Sequence, residues 1–207
     1  MYWPRGRVWG GSSSLNAMAY VRGHAEDYNR WEKEGADGWS YQNCLPYFKK
    51  AQTHQLGEDD YRGGSGPLHV SRGTSGNPLH DAWLKAGQQA GYPLTEDMNG
   101  YQQEGVGPMD ATIHNGQRWS AAVGYLHPAL KRENLSTITN QLVTRVILEG
   151  KKAVGVEMVD RKSGEAKKIR ADEVILSGGA INSPQLLMLS GIGDADQLKE
   201  VEIDEII

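Results

Sequence analysis

The chain has 207 residues, a formal net charge of -4 and a mean hydropathy of -0.58. This length suffices for one large domain or for parts of two. The weak negative charge provides no basic surface for nucleic acid, and the sequence has no run of about 18 apolar residues that could span a bilayer. Cys44 is the single cysteine, which excludes an intrachain disulfide and a cysteine-rich metal site. We therefore expect no nucleic-acid partner and no membrane span in this segment.

Residues 6–23 contain the most informative motif, in which Gly10 and Gly11 run directly into the serines at positions 12–14. Glycine has no Cβ, so it adopts dihedral angles closed to other residues and lets a ligand approach the main chain. Serines that cap a helix leave N–H groups and a helix dipole that favour a phosphate or an electron-rich ring edge. The motif predicts a cofactor-binding turn at the start of a helix. A plain Gly-Ser turn that caps a buried helix is the alternative.

The middle of the chain has the pattern of helices joined by ordered loops. Apolar periodicity and capping residues predict helices that begin near residues 24, 40, 77 and 120. Low periodicity predicts loops over residues 55–66 and 92–107. A short strand is predicted at residues 68–70, and Asn115 with Gly116 predicts a tight turn.

From Leu135 onward the pattern changes to strands. Alternation and β-branched residues predict strands at residues 136–139, 143–148, 153–159, 167–170 and 174–177. Gly150 and Gly164 lie in tight turns that predict antiparallel hairpins. Helices followed by a β-meander indicate a chain of mixed α and β class.

A second glycine segment follows the last predicted strand. Small residues at positions 177–180 predict a tight turn, and Ser183 followed by Pro184 predicts the cap and first turn of a helix. Residues 190–193 are typical of a helix C-cap. No Gly-x-Gly-x-x-Gly sequence follows a predicted strand, so we expect the main pyrophosphate-binding turn to lie outside this chain.

The two glycine segments resemble both sequence signatures of the glucose-methanol-choline (GMC) family of flavin oxidoreductases. The first match runs from Gly6 through the paired glycines to Gly23, and the second runs from Gly179 through Ser183 to Gly193. The intervening text, including residues 38–48 and 92–100, is similar to the choline-oxidising members. The resemblance covers nearly the whole chain.

The resemblance implies an α/β fold with a partial FAD-binding Rossmann-like domain and part of a substrate domain that contains an antiparallel sheet. FAD-binding segments are expected at about residues 1–35 and 135–193. The substrate-side segment is expected at about residues 36–134.

The resemblance also implies FAD as the cofactor and assigns residues that contact it. In this family the paired glycines pass the flavin, and the asparagine equivalent to Asn16 lies near its reactive edge. Such an amide can offer an N–H or an oxygen to flavin N5 or to the substrate. The alternative for Asn16 is an amide bonded to neighbouring backbone, and Val143 alone is an ordinary strand valine. The predicted cofactor contacts are Gly10, Gly11, Ser12, Asn16, Ala17, Met18, Ala19 and Val143.

Two departures from the family pattern affect the expected chemistry. Leu15 stands where some members carry a histidine bonded covalently to the flavin, so we expect dissociable FAD. Ala17 stands where another oxidising member has a serine, so that position offers no hydroxyl. The family's catalytic histidine lies near its C-terminus, and we therefore assign no catalytic residue in this chain. The histidines lack metal-ligand spacing, so we expect surface or locally bonded histidines and no metal.

By resemblance, the activity is FAD-dependent oxidation of a primary alcohol to an aldehyde by hydride transfer to the flavin. The favoured substrate is choline, which gives betaine aldehyde in glycine betaine synthesis. Electrons would pass to a respiratory acceptor such as a quinone, in mitochondria and at the inner membrane. Because the chain begins inside a cofactor motif, we expect an internal fragment that is inactive alone and binds FAD weakly. The alternatives are a family member for another alcohol and a truncated, non-catalytic product.

Overall fold

The computed structural model describes residues 2–73, 76–204 and 206–207. The chain forms two compact units, Met1–Leu135 and Ser136–Ile207. The mixed α and β class and the antiparallel sheets are confirmed. The assignment of residues 1–35, 36–134 and 135–193 to cofactor and substrate parts stays a prediction.

The first unit combines helices with small sheets. Its elements are a 3-10 turn (Gly11–Ser14), α1 (Ala25–Lys33), α2 (Tyr41–Ala51), β1 (Gln52–His54), β2 (Leu68–Arg72), α3 (Pro78–Gln89), β3 (Asp110–Ala111), β4 (Ile113–His114), β5 (Gln117–Arg118), a π-helical turn (Ala122–Leu126) and α4 (His127–Ala129). Strand β2 lies between β1, which is parallel to it, and β3, which is antiparallel. Strands β4 and β5 form a hairpin across the predicted tight turn.

The helix predictions for the first unit are confirmed at α1, α2 and α3. Helix α1 begins with a capping box, because His24 accepts from the N–H of Glu26 while Asp27 accepts from the N–H of His24. Helix α3 begins after Asn77, whose Oδ1 accepts from the N–H of Leu79. The helix predicted after residue 120 is instead a π-helical turn followed by the short α4.

The second unit is a three-stranded meander followed by helices. It contains β6 (Gln141–Glu149), β7 (Lys152–Asp160), β8 (Ala166–Arg170), α5 (Gly179–Leu189) and α6 (Ala195–Glu200). Both strand pairs are antiparallel, as predicted. Asp160 fixes the turn after β7, since its carboxylate accepts from the N–H groups of Lys162 and Ser163. These backbone hydrogen bonds hold the pKa of Asp160 at about 2.

Two strand predictions and one cap prediction in the second unit are wrong. Residues 136–139 and 174–177 form no strand with any described residue, because good β-propensity gives a strand only where a neighbour completes the hydrogen-bond ladder. Helix α5 begins at Gly179 rather than after Ser183, and Pro184 lies inside it. The Ser183 hydroxyl instead accepts from the N–H of Gly178 and closes the preceding turn.

The apolar core of the described residues is small. Its buried hydrophobic members are Val70, Ala122, Val146, Met158 and Leu198. Helices α1, α2, α3 and α5 contain no buried residue. Apolar side chains on these helices are therefore at least partly exposed. Extensive exposed apolar surface is typical of faces that contact other polypeptide or a ligand. No helix in the described ranges has the length and apolar character needed to cross a membrane.

A buried polar network centred on Arg22 organises the first unit. Arg22 is 7% exposed, and its guanidinium donates to the Tyr61 carbonyl oxygen at 2.8 Å and to Gln52 Oε1 at 2.9 Å. The guanidinium also lies 5.1 Å from the centre of the Phe48 ring. The Arg22 N–H donates to Asn99 Oδ1 at 2.6 Å. The network therefore anchors the backbone that follows the glycine-serine motif.

Candidate functional site

The glycine-serine motif forms a 3-10 turn, and the α-helix predicted after the serines is absent. Gly10 and Gly11 have φ values of 85 and 54, in the left-handed region. The Ser13 hydroxyl donates to the Gly10 carbonyl oxygen, and the Ser14 hydroxyl donates to the Trp9 carbonyl oxygen. Serine side chains compete in this way with helical hydrogen bonds, which explains why the chain leaves the helix after one turn. We call residues 6–19 the flavin turn.

In the flavin turn, Gly11 keeps one side of the backbone open, whereas Gly6 lies in a close backbone crossing. A Cβ added at Gly11 would meet no atom within 4 Å. A Cβ added at Gly6 would lie 2.2 Å from the Gly11 carbonyl oxygen, so two backbone segments cross in close contact there. The Gly6 N–H donates to Ser12 Oγ at 3.2 Å, which holds this crossing. An open backbone face with small neighbours fits the approach of a planar cofactor.

Asn16 lies at the exit of the flavin turn with its side chain exposed. Its Oδ1 accepts from the Met18 N–H at 3.0 Å and from Arg118 Nη1 at 3.0 Å. Among the described residues, Asn16 Nδ2 donates to no acceptor. The oxygen end of the amide is therefore satisfied within the protein, and the donor end is free for a ligand.

After Asn16 the chain extends along β3. The Thr112 N–H donates to the Met18 carbonyl oxygen at 2.9 Å, and the Tyr20 N–H donates to the Asp110 carbonyl oxygen at 2.8 Å. Ala19 and Ala111 form an isolated antiparallel bridge. These hydrogen bonds fix the direction of the backbone as it leaves the flavin turn.

Most of the predicted cofactor contacts lie in this one continuous turn. They are Gly10, Gly11, Ser12, Asn16, Ala17, Met18 and Ala19. Val143 lies in the second unit, on β6 next to an irregularity in its pairing with β7, and is 37% exposed. Contact of these residues with FAD stays a prediction.

A hydrogen-bonded triad that contains the Arg72–Asp110 ion pair and the buried His54 supports β3, and sequence reasoning missed it. Asp110 Oδ1 accepts from Arg72 Nε at 2.8 Å, and Asp110 Oδ2 lies 3.0 Å from His54 Nε2. His54 Nδ1 accepts from the Leu56 N–H, so Nε2 carries the proton and donates to Asp110. Burial acts to raise the pKa of Asp110, but the His54 hydrogen bond and the Arg72 charge outweigh it and lower this pKa.

The other histidines that lie close together form an aromatic cluster. The His69 and His114 rings are 4.0 Å apart, and the Trp119 ring meets both edge-on at 4.7 and 5.1 Å. Burial and the nearby His114 lower the pKa of His69. Within the ranges that the structure describes, no three His, Cys, Asp or Glu side chains are grouped to hold a metal ion.

Comparison with known proteins agrees with the resemblance seen in the sequence. The sequence profile of the GMC oxidoreductases matches residues 1–203. The chain is 66% identical to the mitochondrial choline dehydrogenase of Mus musculus over 204 residues, which cover 98% of this chain and 34% of that protein. It is 53% identical to the oxygen-dependent choline dehydrogenase of Brucella anthropi over 203 residues, covering 98% of this chain and 37% of that protein.

A solved structure supports the same relationship. The crystal structure of pyridoxine 4-oxidase from Mesorbium loti superposes with a TM-score of 0.91 at 38% identity, covering 99% of this chain and 40% of that one. The chain thus spans about a third of the length of the curated relatives it matches. On this combined agreement of sequence and fold, the chain belongs to the GMC oxidoreductase family.

Proposed function

We propose that the protein containing this chain is an FAD-dependent dehydrogenase that oxidises choline to betaine aldehyde. The observation that carries this proposal is the identity of 66% and 68% to the mouse and human choline dehydrogenases over nearly the whole chain. At the site, the open backbone of the flavin turn and the free donor of Asn16 support a flavin cofactor.

The flavin turn would hold FAD through backbone rather than charged side chains. Gly11 leaves the main chain accessible, and Ser12 is exposed beside it. Bound FAD supplies the hydride acceptor for the alcohol carbon. Asn16 would donate its free amide N–H to an acceptor atom of the flavin or of the substrate. Val143 would contact the adenine end through its backbone.

The cofactor is proposed to bind without a covalent link. Leu15 is 61% exposed and carries no group that can form a bond to the flavin. Ala17 is likewise exposed and offers no hydroxyl. We therefore expect the affinity for FAD to come from non-covalent contacts, which denaturation of the protein would release.

We propose that further polypeptide covers the open apolar faces of α1, α2, α3 and α5, which contain no buried residue. The isolated chain is accordingly proposed to be inactive and to bind FAD weakly.

A quinone is the proposed electron acceptor. The mitochondrial names of the mouse and human relatives support that location, and attachment to the inner membrane is part of the same proposal.

The test is anaerobic reduction of the flavin in the full-length protein. We expect the purified protein to show a flavin absorbance band, and we expect choline to bleach it. Acid precipitation should leave the flavin in the supernatant, because no covalent link retains it.

A substrate panel serves as the control for this experiment. Pyridoxine and benzyl alcohol should reduce the flavin at least about tenfold more slowly than choline, since loss of a favourable contact changes the rate by about this factor. Faster reduction by either alcohol than by choline would contradict the proposed substrate. A protein that retains no flavin would contradict the proposed chemistry altogether.

A further inference from the structure

Arg118, at the end of β5, contacts several atoms of the flavin turn. No feature of its local sequence indicates these contacts. Its Nη1 lies 2.8 Å from the Asn16 carbonyl oxygen, 3.0 Å from Asn16 Oδ1 and 3.2 Å from the Ser13 carbonyl oxygen. One guanidinium nitrogen therefore serves both the backbone and the side chain of the residue predicted to face the flavin. Hydrogen bonds from a charged donor are about twice as strong as neutral ones.

Arg118 determines which end of the Asn16 amide faces outward. A guanidinium only donates hydrogen bonds, so the amide must present its oxygen to Arg118. The Met18 N–H, also a donor, meets the same oxygen. Rotation of the amide would place its NH₂ group against two donors, which is unfavourable. The outward group is therefore Nδ2, which can donate to an acceptor and cannot accept.

The residues after Arg118 hold the other end of the flavin turn. The Ala121 N–H donates to Ser13 Oγ at 2.9 Å. A Cβ added at Gly10 would lie 3.1 Å from the Ala122 nitrogen, so the two backbones pack closely there. Residues 118–122 thus contact the turn at its beginning, middle and exit, and Arg118 supplies the contact nearest to Asn16.

Arg118 is also a cation without a counter-ion among the described residues, where the arginine ion pairs involve other guanidinium groups. Its positive charge polarises the Asn16 amide through the oxygen that accepts from it. A polarised amide is a stronger donor at Nδ2. The charge of Arg118 and the orientation of the Asn16 amide therefore both favour donation from Nδ2 to an outside acceptor.

We propose that Arg118 is a positioning residue, which fixes the Asn16 amide with its donor end toward the flavin and substrate. This inference rests on the proposed function for the identity of the ligand. The orientation itself rests on hydrogen bonds within the chain. Arg118 acts through Asn16 and requires no contact of its own with the cofactor.

The test compares R118M, N16A and the R118M/N16A double variant in the full-length protein with FAD. We expect R118M to retain FAD, to shift the flavin absorbance band and to slow flavin reduction by choline about 10- to 100-fold, the factor for a charged hydrogen bond. N16A should show a loss of similar size. The double variant should be no slower than N16A alone, because Arg118 acts through Asn16. R118K, which keeps a charged donor, should recover part of the rate.

A second readout needs neither FAD nor turnover. In the FAD-free protein, hydrogen exchange of a peptide covering residues 10–19 should be about tenfold faster in R118M than in the wild type, because one charged hydrogen-bond donor is lost. R30M is the matched control, since Arg30 pairs with the exposed Asp27 on α1 and with the exposed Glu34 directly after that helix. It should change neither exchange nor the flavin spectrum.

The outcomes separate this inference from the proposed function. The inference is overturned if the losses in the rate of flavin reduction in R118M and N16A multiply in the double variant. It is also overturned if hydrogen exchange over residues 10–19 is unchanged in R118M. If the wild type binds no FAD or ignores choline, the proposed function fails, and the exchange measurement still decides whether Arg118 orders the turn. If R118M does not fold, R118K must show the slower exchange and the spectral shift to a smaller extent, and wild-type behaviour of R118K would overturn the inference.

Discussion

Replacing Asp110 with asparagine is expected to destabilise the protein by about 3 kcal/mol or more, since removal of one partner from a buried ion pair leaves an uncompensated charge. Asp110 has 4% of its side chain exposed, and its carboxylate serves Arg72 and the fully buried His54. An asparagine keeps the shape but removes the negative charge, so the Arg72 guanidinium would lose its counter-ion. Strand β3, which carries Asp110, also holds the exit of the flavin turn through Tyr20.

Urea unfolding of the wild type, D110N and D81N measures this effect. Asp81 is 77% exposed, and its Oδ1 lies as far as 4.0 Å from His80 Nδ1. Because so exposed and distant a pair contributes little, D81N should change the free energy of unfolding by less than about 0.5 kcal/mol. The folded state lowers the pKa of Asp110 below its ordinary 3.8, so its stabilisation is complete above that value and is lost as the pH falls below it. D110N should lack this part of the acid sensitivity. Equal stability of D110N and D81N would contradict the role of the triad.

Replacing Gly6 with alanine is expected to weaken FAD binding about 100-fold or more, a large effect of the kind produced by overpacking at a backbone contact. The new Cβ would lie 2.2 Å from the Gly11 carbonyl oxygen and 2.9 Å from the Ser12 nitrogen. Both atoms belong to the backbone, so the clash can be relieved only by moving the flavin turn. The dissociation constant of FAD from the full-length protein measures the effect.

Gly35→Ala is the control for Gly6→Ala. Gly35 has a φ of 105 and open space at its Cβ position, so alanine there strains the backbone without a clash. It should lower the melting temperature and leave FAD affinity unchanged. Wild-type affinity in G6A would show that the backbone crossing is not required for the cofactor.

Local sequence signals predicted the elements whose stabilisation is local. Helix α3 begins where Asn77 and Pro78 place a cap, and the meander β6 to β8 follows from alternation and glycine turns. The strand predicted at residues 174–177 is absent, because its β-branched residues find no pairing partner in the described ranges. The helix predicted after the serines is absent because the hydroxyl groups of Ser13 and Ser14 take the carbonyl oxygens near them.

The candidate site likewise has a part that the sequence predicts and a part that it does not. The flavin turn was recognisable because Gly10, Gly11 and Asn16 are close in sequence and match a long signature. Arg118 was not recognisable, since its bonds to Asn16 join residues 102 positions apart. The contacts of Asp110 with His54 and Arg72 likewise span 56 and 38 positions. Such pairings are set by the topology of the sheet and leave no periodic pattern in the sequence.

FAD affinity of G11A and G150A tests most directly whether the open face of the flavin turn receives the cofactor. Gly11 and Gly150 have φ values of 54 and 59, and an added Cβ at either meets no protein atom within 4 Å. Both variants should lose about 1 kcal/mol of stability from the left-handed backbone. Only G11A should weaken FAD binding, by at least about tenfold, because its methyl group would occupy space that the cofactor needs. Equal FAD dissociation constants for the two variants would contradict the account.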